Sequence, residues 1–139
     1  MKRTYGGSHQ EFDVQCESTV MIPMRDGTEL ATDLYYPALE GRHVEGPFPV
    51  VLERTPYDKA AAVNVTNGKY FARRGYVCVI QDVRGRFCSE GEWDPFAKEA
   101  PDGYDTVEWL ADQEWSDGQV GTMGGSYCGS DQSALATLD

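Results

Sequence analysis

Basic side chains are scarce in this chain of 139 residues, which has 12 lysines and arginines against 23 aspartates and glutamates, and a formal net charge of −11. Nucleic acids and anionic membrane surfaces are bound by basic protein faces. The composition therefore argues against both kinds of partner. Long apolar runs are also missing, because no segment approaches the length that spans a bilayer. The first ten residues hold two basic side chains but no apolar stretch, so we predict no signal peptide and a cytoplasmic location.

Cysteine and histidine are few, with four and two residues respectively. The cysteines form no C-x-x-C pair, and neither histidine stands at zinc-finger spacing from any of them. We therefore predict no metal site, and no cofactor either. Without a secretion signal, the expectation for the cysteines is that they are free, buried thiols: Cys16, Cys78, Cys88 and Cys128.

The pattern of apolar residues predicts an antiparallel hairpin followed by alternating strands and helices. Asp26-Gly27, between two β-prone runs, is a strong signal for a hairpin over residues 16–36. Residues 1–13 are expected to be irregular, and residues 37–49 to form a surface loop. Buried strands are predicted at 48–54, 76–80 and 119–123, and helices at about 65–74, 101–112 and 130–138. This order predicts the α/β class, with a mostly parallel sheet and right-handed crossovers.

The most informative segment is Gly124-Gly125-Ser126-Tyr127-Cys128-Gly129, between the last predicted strand and the last predicted helix. A serine on a tight strand-to-helix turn is the nucleophile elbow of an α/β-hydrolase, and small residues must flank it because the turn is crowded. Gly124 supplies the first small residue, whereas Cys128 stands where the second glycine is usual. Ser126 is the candidate nucleophile. The alternative is a Gly/Ser-rich turn without chemistry.

The site is expected beyond the carboxyl ends of the parallel strands, where residues 55–59, residues 82–91 and the elbow would meet. The backbone N–H of Tyr127, at a helix N-terminus, can donate to the oxyanion formed on a substrate carbonyl. A second donor is expected after the strand at 48–54, and the hydroxyl of Tyr57 can serve. The alternative for Tyr57 is simple packing.

For the remaining histidine, acidic and aromatic residues we consider roles outside the catalytic triad. In this fold the acid and the histidine follow the serine in the chain, so His9 and His43 are expected to be surface residues. Asp82 and Glu90 are expected to form salt bridges with an arginine rather than serve as the triad acid. Two alternatives, pocket lining and core packing, remain open for an aromatic set: Phe87, Trp93 and Phe96.

Four segments together resemble the N-terminal part of the CocE/NonD family, which comprises cocaine esterase, X-prolyl dipeptidyl peptidase-like enzymes and α-amino acid ester hydrolases. The segments are Met24-Arg25-Asp26-Gly27; Arg54-Thr55-Pro56-Tyr57-Asp58-Lys59; Gln81-Asp82-Val83-Arg84-Gly85-Arg86 with Ser89-Glu90-Gly91; and residues 102–110 leading to the elbow. The elbow of this family typically reads Gly-x-Ser-Tyr-x-Gly, so Gly129 stands at the expected place.

The resemblance implies that Ser126 is the nucleophile, and that the Tyr127 amide and the Tyr57 hydroxyl form the oxyanion hole. It also implies an acid and a histidine further along, a helical cap and a C-terminal jelly-roll domain. Because the sequence ends thirteen residues after Ser126, we expect residues 14–139 to be the N-terminal part of a hydrolase domain.

The expected function is hydrolysis of ester or amide bonds, including X-Pro peptide bonds, through an acyl-enzyme that only a longer protein completes. The chain alone is expected to be inactive. The competing hypothesis is a non-catalytic fragment with an incomplete sheet. Esters, β-lactam-type acyl groups and X-Pro peptides remain open as substrates, and the oligomeric state is undetermined.

Overall fold

A six-stranded mixed sheet with helices on both faces organises the chain in a computed structural model that describes residues 7–138. The strands lie in the order β1-β2-β5-β4-β6, and β3 pairs with β2. The elements are β1 (Asp13–Pro23), β2 (Glu29–Leu39), β3 (Arg42–His43), β4 (Phe48–Thr55), α1 (Ala62–Ala72), β5 (Val77–Asp82), α2 (Glu99–Ala111), β6 (Ser116–Thr122) and α3 (Tyr127–Leu135). This arrangement confirms the predicted α/β-hydrolase architecture.

The predicted hairpin is present, and its strands are longer than the sequence pattern indicates. β1 and β2 are antiparallel, with Ile22 opposite Leu30 and Asp13 opposite Ala38. The register shifts between Glu17 and Val20, and this irregularity interrupts the alternation that would have revealed the first half of β1. Residues 7–12 contain no helix or strand, Asp13 begins β1 instead of belonging to the predicted irregular N-terminus, and residues 1–6 lie outside the described residues.

The prediction of a loop over residues 37–49 is wrong in part. β2 continues to Leu39, and the two-residue strand β3 folds back on it, with Ala38 opposite His43. The imidazole of His43 stacks on the ring of Tyr36 with centroids 4.3 Å apart. A strand of two residues is too short to produce a periodic pattern, so the sequence gives no sign of it.

The parallel part of the sheet is formed by β4, which pairs with β5 on one side and with β6 on the other. Every residue of β5 is buried. On one sheet face, α2 covers an apolar cluster that includes Leu30, Leu52, Val79 and Leu110. On the other face, α1 packs closely because Gly68 has no side chain: a Cβ there would lie 2.5 Å from the ring of Tyr35. Both helices thus bury the central strands.

The prediction that the last strand is buried is wrong for β6. Five of its seven residues are exposed, because among residues 7–138 it hydrogen-bonds to β4 alone and so lies at the edge of the sheet. The strand also begins at Ser116, and α3 begins at Tyr127, directly after the elbow serine. The helix therefore starts three residues earlier than the pattern predicted.

The cysteines differ in exposure although all four are free. Cys78 and Cys128 are buried as predicted, whereas Cys16 and Cys88 are exposed. Cys16 belongs to the outer strand β1, and Cys88 to the loop after β5, where the apolar character of a thiol does not suffice to bury it. None of the helices in the described residues combines the length and the apolar character needed to cross a bilayer.

Candidate active site

Three loops meet at the carboxyl edge of the parallel strands, where the sequence predicted a site. The loops follow β4, β5 and β6, and hydrogen bonds connect them. Arg86 Nε donates to the carbonyl oxygen of Pro56 at 3.1 Å, which joins the second loop to the first. The backbone N–H of Phe96 donates to the hydroxyl of Tyr127 at 2.9 Å, which joins the second loop to the elbow. The edge is therefore a continuous, hydrogen-bonded surface.

Ser126 occupies a strained backbone conformation at the point where β6 turns into α3. Its φ of 55° and ψ of −123° lie in a region that residues other than glycine rarely adopt. The serine is exposed, while the next two residues, Tyr127 and Cys128, are buried. A strained, exposed serine between a strand and a helix is the geometry of a nucleophile elbow.

The glycine at position 124 explains how the elbow accommodates Cys128. Gly124 has a φ of +138°, and a Cβ at this position would lie 2.4 Å from the Cβ of Cys128. The Cys128 side chain therefore occupies the space that a side chain at position 124 would need, so position 124 requires glycine. Burial raises the pKa of the Cys128 thiol to about 11, so the thiol is protonated at neutral pH and serves as a small packing group.

The two predicted oxyanion donors lie on neighbouring loops. Tyr127 is the first residue of α3, and the first N–H groups of a helix have no carbonyl partner within the helix. Tyr57 lies two residues after the end of β4, the strand next to β6, and 58% of its surface is exposed. Its side chain is therefore not part of the core.

Lys59 anchors the loop that carries Tyr57, a role that the sequence did not reveal. Its ammonium group forms a buried ion pair with Asp33 of β2 at 2.9 Å. Its backbone N–H donates to Asp82 Oδ1 at 2.8 Å. The loop is thus held from both the hairpin and the end of β5.

The prediction that Asp82 and Glu90 pair with arginines is wrong. Asp82 accepts hydrogen bonds from the backbone N–H groups of Lys59 and Cys88, and Glu90 accepts one from Glu29. The carboxylates bond backbone groups because the loops fold directly over them. Burial raises the pKa of Asp82. The arginines bind other partners: Arg84 pairs with Asp26 and Asp102, Arg54 pairs with Glu99, and Arg86 bonds the Pro56 carbonyl.

The aromatic set lies outside the core, and two of its three members pack against Tyr127 of the elbow. Phe87 and Phe96 expose 55% and 57% of their surface, and Trp93 exposes 36%. Phe96 stacks on the ring of Tyr127 with centroids 4.3 Å apart, and Trp93 lies 5.5 Å from the same ring. Core packing is therefore excluded for these side chains, and Trp93 and Phe96 form an exposed surface against Tyr127.

Neither histidine is brought to the serine. His43 lies in β3 beside Gly46 and Trp115, which stand just before the starts of β4 and β6 and thus at the amino edge of the parallel strands. His9 is exposed and precedes Glu11, whose N–H donates to Arg73 at the turn between α1 and β5. Both histidines therefore lie at the edge opposite Ser126.

A buried polar cluster beneath the elbow is the main feature that the sequence did not predict. The Arg54 guanidinium forms an ion pair with Glu99 at 2.8 Å, and both side chains are almost completely buried. Arg54 Nε also donates to Gln81, and the hydroxyl of Tyr127 donates to Glu99 Oε1 at 2.9 Å. Asp131, one turn further along α3, is 1% exposed. A charged residue in an apolar strand is the only sequence signal, and it applies to Arg54 alone.

Substitution of Gly124 by alanine should destabilise the elbow, because an added Cβ would overlap Cys128 and the positive φ disfavours an L side chain. The expected cost is about 2 kcal/mol or more in the free energy of unfolding, measured by chemical denaturation. Gly125→Ala is the matched control, since nothing lies within 4 Å of a Cβ at that position. Equal stability of the two variants would contradict this account of the elbow.

Comparison with known proteins identifies a family and relatives of this chain. Residues 26–139 match the X-Pro dipeptidyl-peptidase (S15) family. The chain is 49% identical over 116 residues to cocaine esterase of Rhodococcus sp. (strain MB1 Bresler), and the match covers 81% of this chain but 19% of that enzyme. The chain therefore spans about a fifth of the length of this relative.

Two solved structures show the same fold over most of the chain. An α-amino acid ester hydrolase superposes with a TM-score of 0.75 at 31% identity, covering 99% of this chain and 25% of that one. A CocE/NonD family hydrolase from Staphylococcus aureus superposes with a TM-score of 0.78 at 28% identity, covering 90% of this chain and 25% of that one. The chain belongs to the X-Pro dipeptidyl-peptidase (S15) family and, within the α/β-hydrolases, to its CocE/NonD members.

Proposed function

We propose that this chain is the N-terminal part of a serine hydrolase that cleaves ester or amide bonds through an acyl-enzyme, with Ser126 as the nucleophile. The observation that carries the proposal is the strained, exposed conformation of Ser126 between β6 and α3. Membership in the X-Pro dipeptidyl-peptidase (S15) family and similarity to a cocaine esterase support hydrolysis as the class of reaction.

In the proposed mechanism, a histidine accepts the proton of Ser126 while its Oγ attacks the substrate carbonyl carbon. The carbonyl oxygen becomes an oxyanion, to which the Tyr127 N–H and the Tyr57 hydroxyl donate hydrogen bonds. The tetrahedral intermediate then collapses, and the histidine transfers its proton to the departing alcohol or amine. Water attacks the resulting acyl-enzyme by the same route and releases the acid.

The histidine and the acid of the triad are proposed to come from residues beyond this chain. Both of its own histidines lie at the opposite edge of the sheet. The chain also spans about a fifth to a quarter of the relatives and solved structures that it matches. Residues 14–139 would then supply the nucleophile and the oxyanion hole of a longer enzyme.

Small esters, amides or peptides are the proposed substrates. The names of the relatives point to different bonds: the ester of cocaine, α-amino acid esters and X-Pro peptides. All three are carbonyl compounds for which the same nucleophile and oxyanion hole suffice. A panel of aryl esters, α-amino acid esters and X-Pro amides, assayed on the longer protein, distinguishes them.

A non-catalytic fragment is the second candidate. It is favoured by the exposure of β6, which presents an unpaired edge among the described residues. Such an edge promotes association with other chains.

Replacement of Ser126 by alanine in the longer protein should abolish labelling by a fluorophosphonate probe, because the probe reacts with an activated serine hydroxyl. Ser130→Ala is the matched control: Ser130 is exposed and lies one turn further along α3. Gel fluorescence measures the labelling of each variant, and circular dichroism shows whether each variant is folded. Labelling that persists in Ser126→Ala would remove this serine from the mechanism.

The Tyr57→Phe substitution should lower kcat by roughly 10²–10³ with little change in KM, which is the usual loss for one oxyanion donor. The reason is that phenylalanine keeps the ring but cannot donate a hydrogen bond. Tyr70→Phe, on α1 and 49% exposed, is the control and should retain full activity. An unchanged kcat in Tyr57→Phe would mean that another group stabilises the oxyanion.

The 139-residue chain alone should be inactive and poorly soluble, since neither of its histidines reaches Ser126 and the β6 edge is open. Hydrolysis of p-nitrophenyl acetate, measured against Ser126→Ala, together with size-exclusion chromatography, tests both statements. A soluble monomer with Ser126-dependent turnover would show that this chain contains its own general base.

A further inference from the structure

We propose that Asp131 is protonated in the active protein and positions Tyr127 by donating a hydrogen bond to Glu99. This inference rests on the proposed function, because the backbone N–H of Tyr127 is the proposed oxyanion donor. Asp131 would act through Glu99 and Tyr127 and would not touch the substrate itself.

The first observation is that the carboxyl group of Asp131 is buried without a charged partner. It is 1% exposed, and neither of its oxygens accepts a hydrogen bond within residues 7–138. Ionised carboxylates in such surroundings are strongly disfavoured unless a cation or several donors compensate them. The protonated form removes this cost and provides a donor.

The second observation is that Arg54, which lines a cavity together with Asp131, is paired with Glu99. Arg54 Nη1 lies 2.8 Å from Glu99 Oε2. Arg54 and Asp131 line the same small cavity beneath α3, yet neither Arg54 Nη2 nor an Asp131 oxygen forms a hydrogen bond in the part of the chain described. Glu99 therefore occupies the Arg54 guanidinium, and no cation is bonded to Asp131 among the described residues.

The third observation is that Glu99 can accept the proposed bond. Glu99 and Asp131 are both neighbours of Arg54, because Glu99 pairs with its guanidinium and Asp131 lines the same cavity. Glu99 Oε1 also accepts the hydroxyl of Tyr127 at 2.9 Å. In the proposed arrangement, hydrogen bonds connect Asp131 to Glu99 and Glu99 to the side chain of Tyr127, the residue that follows Ser126.

The charges that face Asp131 come from two elements besides its own helix. α2 contributes Glu99 and β4 contributes Arg54, while Tyr127 and Cys128 are the titratable neighbours on α3. The β6 side of the cavity consists of Thr122 and Met123, which carry no charge. Burial and then the proximity of Glu99 raise the pKa of Asp131 to about 7, whereas Arg54 lowers it.

The sign of the pH dependence follows from this shift. The folded protein keeps a proton on Asp131 that the unfolded chain releases near pH 4. Stability therefore falls as the pH rises from about 4 to about 7, and stays at the lower level above that range. Ionisation places a second negative charge beside Glu99 and breaks the donor chain to Tyr127.

The test is Asp131→Asn in the longer hydrolase, because an asparagine amide keeps the shape and a donor but cannot ionise. Relative to the parent, we expect an unchanged Tm and kcat at pH 5.5, and a higher Tm at pH 8.5. At the higher pH the kcat of the variant should exceed that of the parent by roughly threefold or more, the effect of restoring one hydrogen bond to a charged group. The exposed Asp94→Asn is the control and should show no pH-dependent difference.

Two outcomes would overturn the proposal. A lower Tm in Asp131→Asn at pH 8.5 would show that Asp131 is ionised and stabilised by Arg54. A higher Tm combined with a pH-independent ratio of the two kcat values would show that Asp131 does not position Tyr127. Infrared difference spectra provide a second measurement, because the carbonyl band of a protonated carboxyl group should be present in the parent and absent in the variant.

Failure of the proposed function is distinguishable from failure of this inference. If Ser126→Ala retained activity, the hydrolase mechanism would be wrong, and the comparison of Tm values would still decide whether Asp131 is protonated.

Discussion

The position of β4 between β5 and β6 is the constraint on which the site depends. Both pairings are parallel, so all three strands end at the same edge and their loops converge. The loop after β4 carries Tyr57, the loop after β5 carries Arg86 and the aromatic residues, and β6 leads to Ser126. A different order of the same strands would separate the serine from Tyr57. The strand order therefore determines which residues can act together.

Buried ion pairs fix the loops that this order brings together. Lys59 bonds to Asp33 beneath the loop of Tyr57, and Arg54 bonds to Glu99 beneath the elbow. A buried pair contributes little net stability because removing two charges from water is costly, but it is strongly directional. Removing one partner leaves a buried charge uncompensated, so alternative loop conformations are disfavoured. The charges thus serve to position the loops more than to stabilise the fold.

The elbow was predictable from sequence because its constraints are local. A tight turn requires a residue without a Cβ at position 124 and a serine in a strained conformation two residues later, and both can be recognised in six consecutive letters. The hairpin at Asp26-Gly27 is predictable for the same reason. The exposure of β6 could not be predicted in this way, because it depends on which strands lie beside β6 in the sheet. The seven residues of the strand do not indicate its neighbours.

The sequence by itself determined the class of fold, the order of the elements and the segment that carries the candidate nucleophile, since each of these rests on periodicity or on a short turn. Tertiary structure alone decided the partners of the charged residues. Asp82 and Glu90 bond backbone groups rather than arginines, and Arg54, Glu99 and Asp131 meet beneath α3 from three separate elements. Residues up to 77 positions apart form this last cluster. The interaction between two charges depends on their distance in space. The folded sheet sets that distance, and the spacing of the residues along the chain does not reveal it.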